Sequence, residues 1–405
     1  MTPQLARALA FEPDLEDSRL ELRLVGRDTR KLDLVVAAAD RAAARGSASV
    51  SVTGTTDVDQ ALTGADIVVN QIRPGGLAGR AFDERFPRAL GLPGEETMGP
   101  GGFANAWRTL PAVEEIFARC QEVAPAATVL NLTNPAGMVH QVAKRAQLDM
   151  LTLCDSPVTL ARVAAAAAGV GAESVVPRYI GTNHGGWLTG LGVGDEDVLP
   201  EALERTEVLA SHAGVDPELI RRLRAVPNPY LRYLYYPERQ LAVQSAKRRV
   251  RAEELLDLES EALDAFERDR DPAEIADKRV AVWYTECVSP VVGALVSGRP
   301  LLTIAGVTNG ELVPWLPPET MLELPVQLGG DSVHPSKPDE LAPESAALLL
   351  ENATYESLAV EAILTGDRSG SVRALAANPM VTSIDVAEAA VTAIEREFGA
   401  LRATS

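Results

Sequence analysis

Apolar runs and amphipathic stretches alternate along the first third of the chain. Leu20–Gly26 alternates apolar and polar positions and predicts a strand, and the alanine-rich segment Arg30–Arg45 predicts a helix. Ser49–Thr53 and Ile67–Gln71 follow as strands, the second ending in the polar pair Asn70-Gln71. Glu114–Val123 predicts a helix and Thr128–Leu132 another strand. Near-continuous apolar strands separated by helices predict a parallel sheet covered on both faces, a Rossmann-like doubly wound α/β fold. Ligands of such sheets bind beyond the carboxyl ends of the strands, where Asn70 and Asn131 fall. These asparagines equally suit helix capping or turns. Gly91–Gly102 carries five glycines and two prolines and predicts a long structured loop that continues neither helix nor strand.

The second half has a different texture. Asp195–Lys278 reads as charged helices, with Lys247-Arg248-Arg249 close to Glu253, Glu254 and Asp257 as a solvated face. Val288–Val296 is apolar, Leu301–Ala305 and Met321–Leu328 predict strands, and Ala342–Thr365 and Ile384–Phe398 predict closing helices. The chain therefore divides into a doubly wound α/β part, residues 1–155, and a mixed α+β part, residues 156–405.

Composition narrows the function. The 405 residues are 46% hydrophobic with a formal net charge of −19. That balance gives a globular core and disfavours nucleic acid and anionic membranes. No apolar run is long enough to span a bilayer, and the N-terminus lacks a signal-peptide pattern. The three cysteines, Cys120, Cys154 and Cys287, are too scattered for a disulfide framework and suit a reducing cytoplasm.

Cys154-Asp155-Ser156-Pro157 sits between the apolar segment Met150–Leu153 and an alanine-rich helix. A thiol and a carboxylate there suit metal binding or acid–base chemistry, although a buried cysteine and an N-cap aspartate read the same. Asn183-His184-Gly185-Gly186 follows the strand-like run Arg178–Gly181. His140 and His212 have no evident partner, and His334 lies in a Gly-Asp-Ser-Val-His-Pro loop. One Cys and one His make half of a metal site, so either the site is not metallic or an outside ligand with vicinal oxygens completes it. Tyr284 heads an apolar helix and reads either as a core tyrosine or as a base whose phenolate a cation stabilises.

In order, these stretches resemble the NAD- and metal-dependent family 4 glycoside hydrolases, especially the 6-phospho-glucosidase branch. The resemblance is carried by Ala65–Arg73, Gly79-Arg80 with Asp83-Glu84, Gly94–Gly102 with Arg108-Thr109, and Asn131-Leu132-Thr133-Asn134-Pro135-Ala136-Gly137. Leu153–Pro157, Gly181–His184, Pro227–Tyr233, the Tyr284 segment and Val360–Asp367 complete it. It implies Cys154 and His184 as ligands of a divalent metal, usually manganese (Mn2+), and Arg80 and Asn134 as substrate contacts. Asn70, Ile72 and Asn131 would lie against NAD. The implied reaction is oxidation at the sugar C3, proton removal from C2 by Tyr284, elimination with Asp155 protonating the leaving oxygen, water addition and hydride return. Homodimers or homotetramers are implied. Members acting on α-linked 6-phospho-glucosides tend to carry Asp after the metal Cys and β-acting ones Asn, whereas the Asn-Gln-Ile-Arg stretch looks more like the β-acting group.

Several positions depart from the family pattern. Members place a strand and a glycine-rich loop before a Thr-Pro pair that here is Thr2-Pro3, so the dinucleotide domain is expected to be N-terminally incomplete. Arg27 stands near the usual ribose-binding acid and is compatible with NADP. Val307 stands near the usual phosphate-binding arginine, with Arg299 as a substitute or a non-phosphorylated sugar as the substrate. Val280-Ala281 replaces a Gly-Gly pair. These departures define the alternatives: a catalytically impaired relative acting as a sugar-binding or regulatory module, or a 2-hydroxy-acid dehydrogenase, in which Cys154 and His184 have no task.

Overall fold

The computed structural model describes residues 2–270, 278, 281–329 and 332–401. Helix α1 (Thr2–Ala10) leads to strand β1 (Arg19–Val25), α2 (Thr29–Ala43) and β2 (Ser49–Thr55). Next come α3 (Val58–Leu62), β3 (Ile67–Asn70), α4 (Gly76–Ala89), α5 (Gly99–Val123) and β4 (Thr128–Asn131). Helix α6 (Ala136–Arg145), β5 (Met150–Thr152) and α7 (Asp155–Ala168) complete the first half. The antiparallel strands β6 (Val176–Thr182), β7 (Gly185–Val193) and β8 (Glu196–Asp197) are followed by short helices and by β9 (Val226–Pro227). Helix α8 (Arg251–Glu267) and α9 (Ser289–Ser297) precede β10 (Leu301–Thr308), β11 (Met321–Gly329) and β12 (Ser332–Pro335). Helices α10 (Pro343–Thr365), α11 (Arg368–Ala376) and α12 (Ile384–Phe398) close the chain.

The sheet has two parts. Strands β1 and β2 form a parallel pair of their own, and the larger sheet runs β3-β4-β5-β10-β11-β6-β7-β8. Among the described residues no strand joins β1 to β3. The parallel β3-β4-β5 portion carries the doubly wound character, and the antiparallel remainder is the mixed second part. Neighbouring residues alternate between the two faces, as a pleated strand requires. Val129 and Met150 enter the core under α5, α6 and α10 with Phe103, Phe117 and Val360. Leu130 and Leu151 enter the opposite core with Tyr284, Val288 and Leu322.

Register places one row of residues straight across the larger sheet. Asn70 pairs with Asn131, Asn131 with Thr152, Thr152 with Gly306, Gly306 with Glu323, and Glu323 with Gly181. Side chains in one such row share a face. Gly306 suits this crowded line because a Cβ there would lie 2.4 Å from Met321 Sδ and 2.8 Å from Thr152 Cβ.

The glycine-rich segment corrects the expectation of a loop throughout. Its last four residues, Gly99–Gly102, form the first turn of α5. A Cβ on Gly101 would sit 2.0 Å from Glu95 O, and one on Gly102 2.4 Å from Thr97 O, so the helix start packs on its own approach loop. Packing overrides the weak helix propensity of glycine here. Histidine 140 also gains partners, Thr152 Oγ1 at 3.3 Å and Thr308 Oγ1 at 3.0 Å. His334 lies in β12 rather than in a loop. Arg279 and Val280 lie outside the described residues. No described helix is long and apolar enough to cross a membrane.

Candidate active site

The carboxyl ends of β3 and β4 are joined by side chains. Asn70 Nδ2 donates to Asn131 Oδ1 at 2.9 Å, and Asn131 also exchanges bonds with the backbone of Thr133. Both asparagines are buried, and Ile72 follows them half-buried. Asn134 precedes Pro135 through a cis peptide bond, and its carbonyl accepts from Asn105 Nδ2 at 3.1 Å. Asn105 also donates to Glu96 O, tying this turn to the glycine-rich loop.

That loop supplies a carboxylate cluster. Glu96 accepts from Arg73 and, at 2.7 Å, from Arg80, whose Nε also reaches Glu84 Oε1 at 2.7 Å. Burial lowers the Arg80 pKa, but Glu96 and Glu84 outweigh it and hold the guanidinium charged. Beside it, Arg108 grips Asp83 with two bonds of 2.9 and 2.6 Å. Burial still dominates at Asp83 and lifts its carboxyl to about 7 against the pull of Arg108.

Cys154 is the residue just before α7, and Asp155 opens that helix. Desolvation raises the Cys154 thiol well above its ordinary value, and the charges of Glu323 and Asp155 add to this. Burial likewise raises the Asp155 carboxyl. Burial first and the acids second keep this thiol neutral, and a cation bound beside it would favour the thiolate.

His184 occupies the second position of the two-residue turn between β6 and β7, with φ of +64°. A non-glycine residue in that region costs about 1–3 kcal/mol and persists only where its surroundings fix it. They do so here. The ring stacks on Tyr230 with centroids 3.6 Å apart and planes within 4°, and its Nδ1 lies 2.8 Å from Thr97 Oγ1. Burial lowers the imidazole to about 3, leaving it neutral. Asn183, the other turn residue, donates to Glu323 Oε1 at 2.8 Å. Asn228 Oδ1 accepts from both Ser156 Oγ of α7 and the backbone N–H of Tyr230 at 3.1 Å, so this ring marks where the loop, α7 and the turn converge.

Tyr284 is buried and begins a π-helical turn, Tyr284–Val288, ahead of α9. Such turns often accompany functional residues. Its hydroxyl donates to Gln71 Oε1 at 2.6 Å, which places it beside the end of β3. Val307 is buried in the apolar core, and Arg299 pairs with Asp14 at 2.6 Å.

Among the described residues no three His, Cys, Asp or Glu side chains converge as a metal cluster. The Cys154–His184 pair nonetheless suits a divalent ion whose shell is completed from outside. A neutral imidazole and a thiol are the right donors, and the carboxylates of Glu323 and Asp155 bear on Cys154. For a dinucleotide, the linked Asn70 and Asn131 at the ends of β3 and β4 are polar groups of the kind that would meet a ligand there.

Glu323, Glu95, Thr97 and Tyr230 were not singled out as site residues from sequence. Glu323 sits in a run that alternates like any half-exposed strand, yet it is 1% exposed and its carboxyl is lifted by burial to about 8.

Together these features define an enzyme built on a dinucleotide-domain scaffold, with its polar site beyond the parallel strand ends. Family models described as "Family 4 glycosyl hydrolase" and its C-terminal domain match residues 5–170 and 179–381. The chain belongs to the family 4 glycosyl hydrolases and is a glycosidase. It is 28% identical to the 6-phospho-beta-glucosidase BglT of Thermotoga maritima over 336 residues, 81% of this chain and 80% of that one. It is 26% identical to the phospho-alpha-glucosidase PagL of Clostridium acetobutylicum, over 82% and 81% of the two chains. The Thermotoga maritima 6-phospho-beta-glucosidase solved with manganese, NAD+ and glucose-6-phosphate superposes with a TM-score of 0.87 at 26% identity, covering 98% of this chain and 96% of that one. A lactate dehydrogenase from Cryptosporidium parvum, at 13% identity and a TM-score of 0.51, shares the fold alone.

Proposed function

We propose that this glycosidase cleaves glucosides by the family's redox-assisted elimination, with 6-phospho-glucosides the first substrates to examine because the named relatives act on them. The observation that carries this reading is the convergence on Tyr230 of His184, the Glu95–Thr97 loop and, through Asn228, the Cys154–Ser156 helix start.

Cys154 and His184 would hold a divalent ion, Mn2+ in the first instance, and Asn70, Ile72 and Asn131 would line the NAD. When bound, NAD supplies a hydride acceptor and the ion a Lewis acid. The protein's own residues carry the protons. Tyr284 Oη removes the proton at sugar C2, and its bond to Gln71 aims the phenol toward the strand end. Asp155 holds its proton to a higher pH than a free carboxyl and delivers it to the departing oxygen. Arg80, held rigid by Glu84 and Glu96, and Asn134 position the sugar. The division at residues 155/156, a cytoplasmic location and a homodimer or homotetramer belong to the same reading, and light scattering tests the last.

Turnover is measured on aryl α- and β-glucosides, free and 6-phosphorylated, with NAD and Mn2+ present, in deuterated water. Cleavage with deuterium appearing at C2 of the product is expected. Cleavage without exchange, or no cleavage of any of the four, would sink the proposal.

A further inference from the structure

Which ring nitrogen of His184 keeps a free lone pair is set by what the other one bonds, and the residues that set it come from the glycine-rich loop. Thr97 Oγ1 stands between two groups, His184 Nδ1 at 2.8 Å and Glu95 Oε2, with which it is also hydrogen-bonded. A hydroxyl has one hydrogen, so it donates to one of them and accepts from the other.

Glu95 Oε2 decides which. That oxygen accepts the backbone N–H of Thr97 at 2.6 Å and that of Met98 at 2.8 Å. An oxygen taking two N–H donors is an acceptor, so the Thr97 hydrogen also points to it. Thr97 Oγ1 is then left with lone pairs for the ring, and His184 must carry its proton on Nδ1. Nε2 is the nitrogen left with a lone pair.

We propose that Glu95 and Thr97 are positioning residues that lock His184 in its Nδ1–H tautomer and so present Nε2 as the donor to the cation. The inference rests on the metal reading above for its purpose, but the tautomer itself is a property of the protein without metal. Three further features make the lock firm. The ring is clamped flat on Tyr230, whose backbone N–H is capped by Asn228 Oδ1 at 3.1 Å. The strained turn at His184 is held through Asn183 by Glu323. The loop bearing Glu95 is fastened at Gly94, whose N–H and C=O both bond the side-chain amide of Gln244 at 2.8 and 2.7 Å. A group that accepts the other ring N–H of a metal-binding histidine fixes its tautomer and orientation and raises its basicity.

The test uses the full chain, 15N-labelled at histidine and freed of metal. His184 is assigned by its loss in His184→Gln, and long-range 15N–1H correlation spectra report its tautomer. Mn2+ alone is then titrated, with free Mn2+ followed by electron paramagnetic resonance. The wild type should show Nδ1–H at His184. Thr97→Val should lose that tautomer preference and bind Mn2+ about 10- to 100-fold more weakly, Glu95→Gln should weaken binding in the same direction, and Thr97→Ser should restore both. An Nε2–H tautomer in the wild type, or unchanged tautomer and affinity in Thr97→Val, overturns the proposal. If the wild type shows Nδ1–H but binds no Mn2+, the lock stands and the metal reading fails.

Discussion

The phenol of Tyr284 donates to Gln71 Oε1 at 2.6 Å, joining the π-helical turn to the end of β3 across 213 residues of sequence. This bond fixes where the only hydroxyl proposed as a base can work. Tyr284→Phe keeps the buried ring and removes the proton acceptor, so kcat should fall by about 10²–10⁴-fold. Deuterium exchange at C2 should vanish with it, while Mn2+ affinity stays at the wild-type value. Loss of Mn2+ binding in this variant would show that Tyr284 acts on the metal site instead.

Asp155 tests the acid half of the chemistry. A general acid works while protonated, and burial raises its pKa, so the alkaline limb of the kcat profile should report its ionisation. Asp155→Asn should lose that limb. Its rate loss should be large for alkyl glucosides, whose leaving oxygen needs a proton, and small for nitrophenyl glucosides, whose leaving group does not. Equal losses on both substrates would remove Asp155 from this role.

Arg108 is a structural prediction close to the site. Its bidentate bond to buried Asp83 is covered by the Phe398 ring, whose centroid lies 4.3 Å from the guanidinium carbon. Arg108→Met would leave Asp83 unpaired in a position with no solvent exposure. Unfolding by urea should show a loss of about 3–5 kcal/mol, and Asp83→Asn in the same chain should recover part of it.

Stability should also depend on pH in an unusual direction. Burial raises Glu356 to about 8 from an ordinary value of 4.5, with the Glu323 charge adding and Asn352 opposing. A carboxyl raised on folding contributes stability fully below its unfolded pKa, and that contribution is lost as pH climbs through the folded value. The urea midpoint should therefore fall between pH 5 and 8, a window read from these two values. Glu356→Gln should flatten the fall. Glu323, also near 8, acts in the same sense, so some slope should remain.

The parts legible in sequence were those governed by local pattern. Short apolar runs between helical stretches located β1 to β4, and the Cys154-Asp155 and Asn183-His184 stretches stood out because polar residues ended such runs. Glu323 was hidden because Leu-Glu-Leu alternation is the same for a strand with a wet face and one covered on both sides. Only its pairing between β10 and β6 buries it. Thr97 was hidden for a different reason, since its partner His184 lies 87 positions away and the chain must fold to bring them together. The start of α5 is hidden from glycine propensity because what holds it is the backbone packed against Gly101 and Gly102.

The row from Asn70 to Gly181 makes strand registration a form of quality control. If any one pairing slipped by a single residue, Asn131, Thr152 or Glu323 would turn to the opposite face, and the polar groups that end at the site would point into oil. A mis-zipped molecule is thus both unstable and inert. Only chains that have assembled the sheet correctly can display this site at all.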